Sequence, residues 1–323
     1  MSETAARLAA VLAGNLEPVE PNLLIDPALA GAEQTTEVFS RKWSAYEHGG
    51  EMINRMTQLQ RQWYLQLYGF AGEGELQDHL RRCSVIIDCG TGTGNKAAWF
   101  ASLSPNTAVV AVDISESVIA AARYYRERHP NLVFVRADIA HMPFLRAGAF
   151  DYVNCDQVIH HTAHPPETFA ELVRITRPGG ELTCYVYRRK ALPRELLDEH
   201  FREYAKRLDH ATLMQLSEQL TALGKLLSEA YPEPLEFPAI PALGIEGGQM
   251  TVQRFIYWNM LKCYWNPDAG QQGSVMTNFD WYAPSTAFRY SEAEFRTWIE
   301  RHGLETRHFH REPACLSGRF ARK

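Results

Sequence analysis

A doubly wound α/β fold follows from three features of this 323-residue chain. Short apolar runs alternate with amphipathic stretches between Cys83 and Tyr187, the pattern of strands joined by crossover helices. A glycine-rich turn, Asp88-Cys89-Gly90-Thr91-Gly92-Thr93-Gly94, falls directly after the first run and before the first helical stretch. Four successive runs then end on an acidic residue: Asp88, Asp113, Asp138 and Asp156.

Each element has its own signal. Residues 1–34 carry Pro18, Pro21 and Pro27, which predict a short helix followed by an irregular arm. Residues 35–70 read as helical, with Phe39, Trp43 and Tyr46 at helical spacing. The strand candidates are 84–88, 108–113, 132–138, 150–156 and 181–187, mostly β-branched or aromatic. Helices are predicted at 94–103, 115–129 and 164–176. Pro193 opens a leucine-rich amphipathic stretch with a break near His210-Ala211, and a Pro/Gly-rich connector follows from Pro232. Residues 291–302 read as a capped helix. Two strand-like runs, 304–312 and 314–322, are separated by Pro313 and predict an antiparallel hairpin. The expected organisation is an arm with helices over 1–70, a core over 71–187, a helical and aromatic cap over 188–290, and a return to the core over 291–323.

Composition narrows the class. With 46% hydrophobic and 22% charged residues the chain is globular. A net charge of −5 argues against a nucleic-acid binder, and no apolar run reaches the roughly 18 residues of a membrane span. The N-terminal residues lack the basic flank and apolar core of a secretory signal. Six scattered cysteines without a C-x-x-C pair suit a reducing compartment, and no metal site follows from their spacing. These features predict a soluble, cytoplasmic protein.

The glycine turn and the acidic strand ends converge on one crevice, because doubly wound sheets bind ligands at the carboxyl ends of their strands. A carboxylate there binds ribose hydroxyls. A dinucleotide site requires G-x-G-x-x-G and a helix N-terminus free of acid. This chain has G-x-G-x-G with Asp88 two residues ahead, which repels a diphosphate and suits a cationic cofactor carrying an amino group. S-adenosylmethionine (SAM) has that character.

At these residues the chain resembles the class I SAM-dependent methyltransferases. DCGTGTG is similar to their first motif, VVAVDIS to the second, ADIAHMPF to the third, and FDYVNCDQVIHH with ITRPGGEL to the fourth and fifth. The resemblance covers about 80–187, with 291–322 completing a seven-stranded, mostly parallel sheet. It implies that Asp88, Gly90, Thr91, Gly92 and Gly94 surround the methionine part. It also implies Asp113 and Ile114 at the ribose, Asp138 and Ile139 at the adenine, and Asp156 and Gln157 beside the methyl-donor cleft. Arg41 or Trp43 would close over the cofactor, and S-adenosylhomocysteine would be the product. The fourth motif reads CDQVIHH rather than an N-P-P-Y or D-P-P-Y type, which argues against methylation of nucleobase or glutamine amino groups. Residues 22–31 faintly resemble a zinc-binding module of some relatives, without cysteines to hold a metal.

His160 and His161 follow the fourth strand, where an imidazole would accept a proton from the nucleophile. Twelve of the 44 residues at 255–298 are aromatic against 11% for the chain, so an apolar acceptor pocket is expected there. Tyr257, Trp258, Trp265, Trp281 and Tyr282 are its candidate walls, and Arg189, within the run Arg188-Arg189-Lys190, is a candidate grip for a carboxylate or diphosphate. The expected function is methyl transfer to a small, largely apolar or aromatic metabolite, natural-product or isoprenoid-like. The alternatives are a non-catalytic SAM-binding protein and an NAD(P)-dependent oxidoreductase. The leucine-rich helices offer either cap packing or a homodimer contact.

Overall fold

The computed structural model describes residues 3–14, 16–29, 51–284 and 286–323. Its centre is a ten-stranded sheet whose main path runs β1-β2-β5-β4-β3-β6-β7-β12-β11, with β10 beside β7. The strands are β1 Glu17–Glu20, β2 Leu23–Ile25, β3 Val85–Cys89, β4 Ala108–Asp113, β5 Leu132–Arg136 and β6 Phe150–Cys155. They continue with β7 Thr176–Arg188, β8 Leu235–Phe237, β9 Gly248–Met250, β10 Arg289–Tyr290, β11 Glu305–Arg311 and β12 Cys315–Ala321. β8 and β9 pair only with each other. Strands β2 to β7 run parallel, whereas β12 lies antiparallel to β7 and β11 antiparallel to β12. The seven strands expected from sequence are thus present with the C-terminal hairpin.

The arm departs from expectation. Instead of irregular chain after its first helix (Glu3–Val11), it forms the β1–β2 hairpin. β2 extends the sheet by pairing with β5. These strands are four and three residues long, too short to show alternation. What recruits them is the unpaired edge of β5: Phe134 donates to the Asn22 carbonyl and Asp26 to that of Arg136, and Leu23 is fully buried.

Alternation along the parallel strands feeds two cores. Ile87, Val110 and Val153 face Phe169 and Leu172 of the helix Pro165–Ile175 and Phe295 of the helix Glu292–Arg301. The latter helix starts in a capping box between Ser291 and Glu294. Ile86, Val109 and Phe134 face the helices Asn95–Leu103 and Ser117–Tyr125. Tyr64 and Tyr68 join that side from the helix Glu51–Tyr68, four residues apart on one face with ring centroids 4.5 Å apart.

Beyond β7 come the helices Leu192–Ala205, His210–Ala230, Val252–Asn259 and Gly270–Tyr282. The break between the first two is set by Asp209, whose side chain accepts the Thr212 amide at 2.7 Å. Leu213, Leu220, Phe279 and Tyr282 form a third apolar cluster. Gly224 permits the Cys263 carbonyl to approach so closely that a Cβ there would lie 2.3 Å from its oxygen.

Candidate active site

β3 is flanked by β4 on one side and β6 on the other, so chain order reverses there and a crevice opens at the carboxyl ends. Asp88, Asp113 and Asp156 sit at the ends of these three neighbouring strands. Gly90, Gly92 and Gly94 adopt φ of 78°, 55° and 77°, which folds the loop back so that the Gly90 and Thr91 amides donate to the Val112 carbonyl.

Each carboxylate is held in place. Asp88, 2% exposed, accepts the Thr91 hydroxyl at 2.7 Å and the Asn154 amide at 2.6 Å. Burial raises its pKa, opposed by Lys96 and those two hydrogen bonds. Asn154 continues inward, its carbonyl oxygen accepting Tyr64 at 2.9 Å and Thr183 at 2.7 Å. Asp113 accepts the Gly92 amide at 2.7 Å on one oxygen, and the Ser115 amide and hydroxyl at 2.8 and 2.6 Å on the other. Asp156, 5% exposed, accepts Tyr68 at 2.7 Å and Gln157 at 3.2 Å and pairs with Lys96. Lys96 escaped the sequence reading: nothing in a lone Lys on the first helical turn distinguished it from a surface charge. Tyr68 was read only as part of a helix.

The other expected cofactor residues surround the same crevice. Ile114 is half-buried after β4, and its carbonyl accepts Arg136 at 3.3 Å. Asp138 is half-buried and accepts the Ala140 amide at 2.8 Å, and Ile139 is buried. Gln157 has φ of 65°, the one non-glycine positive φ among the described residues, and it sits where strain accompanies function. Arg41 and Trp43 lie outside the described residues. Buried carboxylates at three strand ends, with the Gly92 amide committed to Asp113, fit an adenosyl cation carrying an ammonium group.

The two histidines part company. His160 is fully buried, its ring 3.7 Å from that of Tyr187, and neither ring nitrogen has a hydrogen-bond partner. Burial, with His161 beside it, drives its pKa well below the ordinary imidazole value; the Tyr185 backbone pulls weakly the other way. Full burial and the resulting preference for the neutral ring make His160 poorly placed for the base expected from sequence. His161 is half-buried, and its Nδ1 lies 2.8 Å from the Thr286 carbonyl. A carbonyl only accepts, so Nδ1 donates and the neutral ring carries its lone pair on Nε2. The Phe288 amide donates to the His160 carbonyl, which ties the segment after the cap onto this turn.

The aromatic candidates also divide. Trp281 packs on Tyr187, with ring centroids 4.9 Å apart, and Tyr187 in turn packs on His160. Tyr257 and Trp258 stand beside it over Lys262 and Lys190. Tyr282 belongs to the cap interior, donating to Asp198 at 3.1 Å. Trp265 lies under Lys225, 5.3 Å away on the outer cap helices, and makes no wall of this crevice. Arg189 is exposed and pairs with Glu294 at 2.9 Å, a surface ion pair rather than a grip. Adjacent register explains the error: β7 ends at Arg188, and the chain then turns Lys190 inward and Arg189 outward.

The C-terminal hairpin gathers His310, Glu312 and Cys315, whose ligand atoms lie within 4.8 Å of one another, an arrangement invisible to spacing rules. Burial and Glu312 push the Cys315 thiol well up, which disfavours the thiolate a metal requires. Among the described residues, no helix is long and apolar enough to cross a membrane.

Comparisons with known proteins give the family of the chain. Residues 87–184 match the methyltransferase domain family. A demethylmenaquinone methyltransferase of Thermus thermophilus is 31% identical over 166 residues, covering 49% of this chain and 69% of that protein. An uncharacterised chloroplastic methyltransferase of Arabidopsis thaliana is 36% identical over 110 residues, 32% of this chain and 31% of its own length. A solved structure of a Pyrococcus horikoshii protein overlays with a TM-score of 0.45 at 13% identity, covering 88% of this chain and 99% of that chain. The chain belongs to the class I SAM-dependent methyltransferases, and SAM is the cofactor of that class. Against several other curated relatives the match spans only about a quarter to a third of their length.

Proposed function

We propose that the protein transfers a methyl group from SAM to a small, largely apolar or aromatic metabolite. The observation that carries this reading is the set of buried carboxylates Asp88, Asp113 and Asp156 at neighbouring strand ends, beneath a glycine loop of three positive φ angles. When bound, SAM supplies an electrophilic methyl group on a sulfonium. The chain supplies position and electrostatics. Asp88 and Asp156 draw the ammonium, while Lys96 keeps the pair from repelling each other. Asp113 braces the glycine loop through Gly92 and offers its remaining lone pair to a ribose hydroxyl. His161, oriented by Thr286, accepts a proton on Nε2 from a hydroxyl or amine nucleophile. Trp281, Tyr257 and Trp258 wall the acceptor side. The relatives named for quinone methylation support an acceptor with an apolar body. Exposed Leu196, Tyr204 and Leu226 offer a second copy an apolar contact on the cap.

Calorimetric titration with SAM, S-adenosylhomocysteine and NADH, followed by an acceptor screen for S-adenosylhomocysteine release, tests the reading. SAM binding with turnover is expected. NADH binding in place of SAM would restore the oxidoreductase, and SAM binding with no turnover on any acceptor would favour a non-catalytic SAM-binding protein.

A further inference from the structure

Behind His160 and Tyr187, the indole of Trp281 is ringed by positive charge. Lys262 Nζ lies 4.7 Å from its centroid, Arg194 Cζ 5.3 Å, and Lys190 Nζ and Arg202 Cζ each 5.9 Å. Arg194, Arg202 and Lys262 are 1%, 4% and 5% exposed. Three carboxylates face them: Asp198, already shared between Arg194 and Tyr282, Asp280, whose charge reaches Lys262 and Tyr187, and Glu199, whose charge reaches Arg202 but which pairs with Arg289. Glu195 lies at the margin and is committed to Arg289 and the Lys190 amide. Positive charge exceeds negative in a place where burying unpaired charge is costly.

The donors are unequally spent. Lys190 gives its ammonium to the carbonyls of Arg188, Pro313 and Ala314 and acts as a strut. Arg194 is used by Asp198 and the Tyr257 carbonyl. Arg202 donates through Nη1 to the carbonyls of Trp281 and Pro284, while its Nε and Nη2 have no acceptor. Lys262 has the Tyr257 hydroxyl at 3.2 Å, which leaves two of its three N–H groups. Trp281 Nε1 is buried without a partner. Native interiors rarely leave such donors unsatisfied.

We propose that this cluster is the subsite for the anionic group, carboxylate or phosphate monoester, of an aromatic or apolar acceptor, with Lys262 as its direct partner and Arg202 and Trp281 Nε1 supporting it. The proposal rests on the methyltransferase reading and sharpens it: the acceptor is an acid, held at its charged end by the cap while its body extends past Tyr187 toward His161. Burial and Arg194 pull Lys262 down to about 7 against the opposing pull of Asp198 and Asp280, and a bound anion would hold it in its ammonium form.

The test uses the full chain saturated with S-adenosylhomocysteine, titrated calorimetrically with 2-naphthoate, 2-naphthyl phosphate and the uncharged 2-naphthamide. At least one of the two acids should bind tenfold or more tighter than the amide, and which one does distinguishes carboxylate from phosphate. Lys262→Met and Arg202→Met should each remove most of that advantage without changing amide affinity. Lys262→Arg should retain it and serves as the folded control should the methionine variants misfold. Equal binding of acids and amide, no acid binding, or an advantage that survives Lys262→Met overturns the proposal. The initial S-adenosylhomocysteine titration reports separately: its failure sinks the methyltransferase reading, whereas success with no acid preference sinks only the subsite.

Discussion

The Tyr68 hydroxyl donates to Asp156 at 2.7 Å, so a helix from the N-terminal part of the chain reaches under the sheet to hold a carboxylate at the crevice. Asp156 in turn pairs with Lys96 and borders the turn that carries both histidines. Burial and the neighbouring Asp156 raise the Tyr68 pKa far above the ordinary phenol value, which keeps it a donor at any working pH. Tyr68→Phe removes that donor and leaves one buried carboxylate oxygen unsatisfied. A stability loss of about 1–3 kcal/mol is expected, with weaker S-adenosylhomocysteine binding. Urea unfolding and calorimetry measure both; unchanged affinity would separate Asp156 from the cofactor.

Asp113→Ala should cost more than an affinity. Its carboxylate braces Gly92 and Ser115 and lies at the proposed ribose position. Loss of roughly 1–3 kcal/mol of binding is expected together with a lower melting temperature. Asp113→Asn, which keeps one acceptor, should recover part of the stability and little of the affinity. Full affinity in the alanine variant would reject the ribose assignment.

At Gly90 an added side chain would collide with the protein itself. A Cβ there would lie 2.4 Å from the Val158 methyls, at φ of 78° where L side chains are strained. Gly90→Val should therefore destabilise the protein itself, by about 1–3 kcal/mol, as well as abolish SAM binding. Pairing it with Val158→Ala should restore stability in part, as measured by thermal unfolding, without restoring the cofactor site.

His161→Ala should lower turnover by roughly 10²–10⁴ with little change in SAM affinity if the nucleophile loses a proton in the step. His160→Phe should retain turnover within a few-fold, because that ring makes no hydrogen bond and packs on Tyr187. Steady-state kinetics on both variants decide the assignment. A large loss in His160→Phe with normal folding would reverse it.

Stability should depend on pH in two windows. His79, 3.3 Å from Glu181, is held at about 4 by burial and by Arg319 and Arg82. Between pH 6.5 and 4 the unfolded chain takes up a proton that folded His79 refuses, so stability falls as pH falls, by up to about 1.4 kcal/mol per unit from this group. Lys262 is depressed in the same sense: between about 7 and 10.5 the unfolded chain holds the proton and the folded chain does not, so stability rises with pH. Urea midpoints against pH should flatten in the first window for His79→Phe and in the second for Lys262→Met. Parallel curves for variant and parent would refute the corresponding shift.

Local patterns made the core readable. Strand periodicity, a glycine loop and acids at strand ends are properties of a few adjacent residues, and backbone geometry alone carries Asp88, Asp113 and Asp156 to one edge. The β1–β2 hairpin was not readable, because three- and four-residue strands gain their order from the open edge of β5 rather than from their own pattern. Nor were Tyr68 and Lys96, which lie on two different helices and acquire a role only when these converge on Asp156. The histidine pair shows the same divide: adjacency in sequence places both after β6, but packing against Tyr187 seals one while the carbonyl of Thr286, 125 residues further on, orients the other. The charge cluster around Trp281 draws its members from two cap helices, the chain just after β7 and the chain after Asn259. Spacing along a chain reports what one element does; burial and unpaired donors arise only when elements meet.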